Sequence, residues 1–104
     1  MAKLELRRDA AARTVEAQVG DILTLRLPEN PSTGYRWEVE VGSVVEVVSD
    51  SFALEGDGIG AGGEREFVFC IRQPGSDIIK MMLRRSWESE TAAIDRIAFS
   101  VRAR

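Results

Sequence analysis

The chain has 104 residues, of which 44% are hydrophobic and 30% are charged, and its formal net charge at pH 7 is −3. This length predicts a single domain spanning residues 1–104, large enough to bury a core without disulfide bonds. The mild and mixed charge does not indicate binding to nucleic acid or to a membrane. The chain has no histidine, which excludes Ser-His and Cys-His nucleophile pairs, and its single cysteine, Cys70, excludes an internal disulfide.

The sequence carries no recognisable targeting segment. No apolar run approaches the roughly 18 residues that a membrane helix needs. Residues 1–8 lack the apolar core of a signal peptide. We therefore expect a cytoplasmic protein for the chain as given, and a periplasmic or secreted one if the chain is a trimmed mature form.

Alternation of apolar and polar residues with a period of two predicts β-strands along the whole chain. In the clearest strand, Tyr35, Trp37, Val39 and Val41 alternate with charged residues, and Trp37 is expected in the core. Thr14 to Gln18 either extend or repeat the first strand, and residues 49–51 mark a candidate bend. The seven predicted strands, A to G, cover residues 4–18, 21–28, 35–41, 44–54, 64–72, 77–84 and 93–103.

This pattern predicts an all-β fold, an immunoglobulin-like antiparallel β-sandwich of about seven to eight strands, and we expect a monomer. In such a sandwich, successive connections alternate between the two ends. The B–C, D–E and F–G connections should therefore emerge at the same end. If residues 44–54 formed two strands instead of one, this grouping would be lost.

The B–C connection, residues 30–34, is the first loop, and its residue types predict one fixed shape. Asn30 can hydrogen-bond its own backbone two residues on, Pro31 fixes φ, and Gly34 can adopt a conformation that other residues resist. Such a loop holds Ser32 and Thr33 at its tip, which suits docking into a partner. The alternative is an ordinary Pro/Gly connection. Tyr35 follows the loop and could serve both loop and core.

The D–E connection, residues 56–63, is the second loop and is dense in glycine. Residues 58–63 match G-x-G-x-x-G, but a dinucleotide site requires a helix next, and here a strand follows. The loop is either a flexible connection or a backbone that can lie flat against a partner.

The F–G connection, residues 84–91, is the third loop and places Trp87 among charged residues. An indole at this position is either a lid on the sandwich or an exposed anchor, and anchors of this type contribute much interface energy.

Together the three loops resemble the motifs of the chagasin family, which inhibits papain-like cysteine proteases. Residues 30–34 resemble the family's Asn-Pro-Thr-Thr-Gly loop, and residues 60–63 resemble its Gly-x-Gly-Gly element. Arg85 and Trp87 match Arg-Pro-Trp or Arg-Pro-Phe, whereas Ser86 departs from the proline. That departure should free the unbound loop and weaken binding by about two- to fivefold.

The resemblance implies a chagasin-like thiol protease inhibitor that needs no cofactor and no metal. The first loop would enter the protease cleft with Thr33 near the catalytic cysteine and histidine, and the other two loops would grip the cleft on either side. The residues expected to bind the protease are Asn30, Pro31, Ser32, Thr33, Gly34, Tyr35, Gly60, Ala61, Gly62, Gly63, Arg85 and Trp87.

Two alternatives remain at this point. One is a non-inhibitory module of the same fold that binds another protein or a periplasmic ligand, which Ser86 and the lack of a signal peptide in the given sequence would favour. The other is an enzyme that uses a carboxylate pair, but no motif places two acidic residues together.

Overall fold

The structure is a computed structural model that describes residues 2–54 and 62–104, with Glu90 described in its backbone only. Short 3-10 helices lie at Arg8–Ala12, Pro31–Thr33 and Glu90–Ala92. Within these ranges no helix is long and apolar enough to cross a membrane. The described residues form eight strands: β1 (Lys3–Leu6), β2 (Thr14–Ala17), β3 (Ile22–Glu29), β4 (Tyr35–Glu40), β5 (Val45–Leu54), β6 (Gly63–Ile71), β7 (Gly75–Arg85) and β8 (Asp95–Ala103).

The strands form two sheets of four, in the orders β1-β3-β6-β5 and β2-β8-β7-β4. This arrangement confirms the predicted all-β sandwich. The pairs that make up most of each sheet are antiparallel, as expected. The two N-terminal strands differ, because β1 pairs with β3 and β2 pairs with β8 in parallel.

The predicted strand A is therefore two strands in different sheets. A 3-10 helix at Arg8–Ala12 separates them and carries the chain from one sheet to the other. Ala10 in this helix is buried. Thr14–Ala17 thus repeat the first strand, in the other sheet, instead of extending it.

The core lies between the two sheets and follows the predicted alternation. Each of the long strands β3, β6 and β8 buries every second residue. Trp37 is 2% exposed, which confirms its predicted place in the core. Burial of this many large apolar side chains is the main favourable contribution to folding. The largest fully buried side chains are Trp37, Phe67, Phe69, Phe99, Leu23, Leu25, Ile71, Ile79, Met81 and Val101.

The candidate bend in strand β5 is a bulge. Its pairing with β6 shifts between Val47 and Ser49, and Val48 is left exposed. Because an extra residue in one strand bends the strand without ending it, Val45–Leu54 remain a single strand. The expected grouping of the three loops at one end is therefore kept.

Candidate functional site

The described parts of all three loops lie at one end of the sandwich. In one sheet, Glu29 and Leu54 both pair with Gly63, so the first loop begins beside the second loop. In the other sheet, Tyr35 pairs with Arg85, so the first loop ends beside the third. This grouping was predicted from the rule that successive connections alternate between the two ends of a sandwich. Two of the predicted contact residues, Gly60 and Ala61, lie outside the described residues.

The first loop is a single turn of 3-10 helix, Pro31–Thr33, capped on both sides. The Asn30 side-chain oxygen accepts hydrogen bonds from the Ser32 backbone N–H (3.1 Å) and hydroxyl (2.7 Å). The Thr33 hydroxyl donates to the Asn30 carbonyl at 2.7 Å. Gly34 closes the turn in the left-handed region, at φ 79°. The loop thus satisfies its own polar groups while Pro31, Ser32 and Thr33 remain exposed.

The third loop is a turn that presents Trp87 to solvent. The Glu88 N–H donates to the Arg85 carbonyl at 3.0 Å, which places Ser86 and Trp87 at the two central positions of a β-turn. Trp87 is 72% exposed, so it is not a lid on the core. A Cβ added at Gly34 would lie 2.9 Å from the Trp87 ring, which shows how closely the first and third loops approach each other.

Arg85 connects the first loop to the third. Its Nε donates to the Thr33 carbonyl at 3.2 Å, and its guanidinium carbon lies 4.4 Å from the centre of the Tyr35 ring. The same carbon lies 6.0 Å from the centre of the Trp87 ring. Cation–π contacts at these distances are favourable. Arg85 therefore holds neighbouring loop residues in place, a role that sequence reasoning did not assign to it.

The second loop reaches this end through Gly62 and Gly63. A Cβ at Gly63 would lie 2.4 Å from the Ala53 carbonyl oxygen, so only glycine fits beside the neighbouring strand. Gly62 is exposed, and among the described residues a Cβ there would meet only the Glu29 carbonyl, at 3.9 Å.

An open groove of about 680 Å³ lies between the described parts of the three loops. The residues that line it include Thr33 and Tyr35, Gly62 and Gly63 of the second loop, and Arg85 of the third. Among the residues that the structure describes, no group of three histidine, cysteine, aspartate or glutamate side chains could hold a metal ion. The described residues of this end offer hydrogen-bonding groups and an exposed aromatic side chain.

A buried ion pair lies under the loops, and sequence reasoning did not identify it. The Arg65 Nε donates to both carboxylate oxygens of Glu29 at 2.9 Å, and its Nη1 donates to Asp50 at 2.7 Å. Glu29 also accepts the Trp37 backbone N–H at 2.6 Å. Burial lowers the pKa of Arg65, but its hydrogen bonds and charge interactions with Glu29 and Asp50 outweigh burial and raise it. The guanidinium therefore stays charged.

The phase of the alternation could have revealed this pair. Glu29 falls in register with the buried Leu25 and Leu27, and Arg65 with the buried Phe67 and Phe69. A buried charge without a partner is costly, so two opposite charges at inward-facing positions, beside two loops expected at the same end, indicate a buried ion pair. The pair ties the start of the first loop to the start of strand β6 and to the backbone of β4.

Comparison with known proteins gives the family. The model of the chagasin family peptidase inhibitors, I42, matches residues 16–101. The chain belongs to this family. The assignment confirms the resemblance seen in the loops and the inhibitor function that it implies, and the chain is not an enzyme.

Three relatives illustrate the assignment. Chagasin of Trypanosoma cruzi is 26% identical over 97 residues, covering 86% of this chain and 88% of that protein. The crystal structure of the cysteine protease inhibitor EhICP2 from Entamoeba histolytica superposes with a TM-score of 0.87, at 25% identity over 99% of this chain and 96% of that one. PbICP-C, solved in complex with falcipain-2, has a TM-score of 0.65 at 16% identity over 98% of this chain and 89% of its own, and shows the shared fold.

Proposed function

We propose that this chagasin-family protein inhibits papain-like cysteine proteases by inserting its loop end into the active-site cleft. The first loop enters the cleft with Thr33 near the catalytic cysteine and histidine. The second loop and Trp87 contact the cleft on either side. The observation that carries the proposal is the convergence of the described parts of the three motif loops on one end, with the tip residues of the first loop and Trp87 exposed.

The described loops support tight binding because they are held in shape before the partner arrives. The first loop is fixed by internal hydrogen bonds, and Arg85 fixes it against the third loop. Ordering a side chain or a loop on binding costs free energy that reduces affinity. Because the first and third loops are already ordered, they lose little on docking, and most of their contact energy remains as affinity.

The shape of the first loop also explains how an inhibitor could avoid being cut. A protease cleaves a peptide that lies extended through its cleft. Residues Pro31–Thr33 form a 3-10 turn, and the Thr33 carbonyl is held by Arg85. The loop therefore offers no extended segment to the catalytic cysteine.

The relatives support the class of protease. EhICP2 is a cysteine protease inhibitor and matches nearly the whole of this chain. PbICP-C, which has the same fold, was solved with falcipain-2 bound. We therefore take papain-like enzymes as the target class.

Titration of papain with the protein tests this function. We expect residual activity to fall to zero at a stoichiometric amount of inhibitor. Absence of inhibition at micromolar concentrations would contradict the proposal and favour the non-inhibitory binding module.

Substitution Trp87→Ala tests the third loop. Since the indole is exposed and adjoins the first loop, we expect its loss to weaken binding by ~2 kcal/mol or more, measured as the change in inhibition constant. Ile78→Ala is the matched control, because Ile78 is an exposed apolar residue near the start of strand β7, away from the loops. Equal inhibition constants for the two variants would show that Trp87 is not an anchor.

A further inference from the structure

We propose that Arg84, anchored on Glu38, is a positioning residue that holds the third loop in its binding shape. This inference rests on the proposed function, since it concerns how Trp87 is presented to a protease. Neither Arg84 nor Glu38 belongs to the three loop motifs.

Arg84 reaches from strand β7 to the far side of the turn. Its Nη1 donates to the Glu88 carbonyl at 2.5 Å. Its guanidinium forms an ion pair with the Glu38 carboxylate on the neighbouring strand β4, and Nη2 lies 3.4 Å from Glu38 Oε2. The Arg84 side chain is only 19% exposed. Because Glu38 lies on a strand, its ion pair fixes the position of the Arg84 guanidinium. The guanidinium can then restrain the loop through its hydrogen bond to Glu88.

Glu88 is the residue of the turn that Arg84 contacts. Its N–H donates to the Arg85 carbonyl at 3.0 Å, and its carboxylate lies 3.4 Å from Arg85 Nη1. With Arg84 on its carbonyl, Glu88 is fixed through its backbone donor, its backbone acceptor and its side chain. Trp87 immediately precedes Glu88, so its backbone is fixed from both ends of the turn.

The turn needs this external hold because its own residues restrict it little. Ser86 occupies the first central position, where proline would fix φ and reduce the freedom of the unbound chain. Trp87 is 72% exposed, so core packing does not set its position either. The hydrogen bond from Arg84 therefore supplies the rigidity that serine does not, and the loss of affinity expected from Ser86 alone is offset.

A double-mutant cycle tests the inference directly. Four proteins are compared by their inhibition constants for papain: wild type, Arg84→Gln, Ser86→Pro and the double variant. We expect Arg84→Gln to weaken inhibition by roughly three- to tenfold, because a charged hydrogen bond is lost. We expect Ser86→Pro alone to change inhibition by less than about twofold, and in the Arg84→Gln background to recover most of the loss.

Arg72→Gln is the matched control. Arg72 forms an exposed ion pair with Glu46 in the other sheet, at the end away from the loops, so its loss should leave the inhibition constant unchanged. Unchanged inhibition by Arg84→Gln, or effects of Arg84→Gln and Ser86→Pro that simply add, would overturn the inference.

A measurement without protease separates the two proposals. We expect the ¹⁵N heteronuclear NOE of the Trp87 and Glu88 amides to fall in Arg84→Gln and to recover in the double variant. If the wild type failed to inhibit papain, the proposed function would be wrong, and this NMR comparison would still decide the role of Arg84. Equally rigid amides in wild type and Arg84→Gln would refute that role.

Discussion

At the scale of single residues, Gly34 is the position where backbone conformation and loop contact coincide. It has φ 79°, which side-chain-bearing residues rarely adopt, and its open face lies against the Trp87 ring. Neither alanine nor a larger residue fits both conditions. The tip of the first loop and the exposed indole are therefore placed relative to each other by one glycine.

Substitution Gly34→Ala should affect both folding and inhibition. The left-handed conformation costs a residue with a Cβ about 1–2 kcal/mol, which should appear as a lower free energy of unfolding in urea. The new methyl group must also displace Trp87, so we expect the inhibition constant for papain to rise by roughly tenfold.

Gly20→Ala is the control for this substitution. Gly20 also has a positive φ, of 93°, but its N–H bonds to Ile71 at the opposite end of the sandwich. It should lose similar stability and keep its inhibition constant. If both variants lost inhibition equally, the effect of Gly34→Ala would be one of stability alone.

At the scale of elements, the ion pair of Glu29 and Arg65 joins the strands from which the first and second loops emerge. Glu29 ends strand β3, one residue before the first loop, and Arg65 lies two residues into strand β6. Their side chains are only 2% and 10% exposed. A buried pair of this kind is costly to break because it leaves a charge with too few partners.

Substitution Glu29→Gln should destabilise the loop end of the sandwich. The amide keeps an acceptor for the Trp37 N–H but no longer offers Arg65 a carboxylate, so we expect a loss of about 1–3 kcal/mol in the free energy of unfolding. Glu66→Gln, which breaks an exposed pair with Arg26 on the outer face, should change stability by less than about 1 kcal/mol. Equal losses in the two variants would mean that burial of the Glu29 pair has no energetic consequence.

At the scale of the whole molecule, the two ends of the sandwich have different tasks. The loop end presents exposed residues, whereas the opposite end ties the N-terminal strands to the rest of the fold. There, the Asp21 carboxylate accepts backbone N–H groups from Ala2 at 2.9 Å and from Gln18 at 2.8 Å. Both hydrogen bonds lower the pKa of Asp21, and the one from Ala2 has the larger effect.

Stability should therefore depend on pH through Asp21. A carboxylate whose pKa is lower in the folded state stabilises the fold above its unfolded pKa of about 3.9, and this contribution is lost as the pH falls through the folded value. We expect Asp21→Asn to lower Tm at pH 7, and the difference from wild type to narrow below about pH 4. Glu40→Gln, at an exposed position of strand β4, should leave Tm nearly unchanged. A difference between Asp21→Asn and wild type that stayed constant from pH 7 to pH 3 would contradict this account.

Local patterns in the sequence predicted most strands and the form of the first loop. The alternation in Tyr35–Glu40 placed Trp37 in the core, and the Asn30, Pro31 and Gly34 chemistry predicted the fixed turn. The first predicted strand, residues 4–18, is two strands. The sequence left open whether residues 14–18 extend or repeat the first strand, because alternation continues on both sides of the short helix at Arg8–Ala12. Two short strands separated by a few alanines look like one long strand unless the partner of each is known.

The sequence by itself determined the features that depend on residues close together in the chain: the alternation, the turn residues and the family motifs in their order. What only the tertiary structure decided was which distant residues meet. Arg85 bonds a residue 52 positions away, and Arg65 one that is 36 positions away. Strand pairing and register set such contacts, and both depend on how the whole chain buries its apolar faces. The motifs of the loops can therefore be identified from short stretches of sequence, whereas the convergence of the described loop residues on one end depends on the folded sandwich.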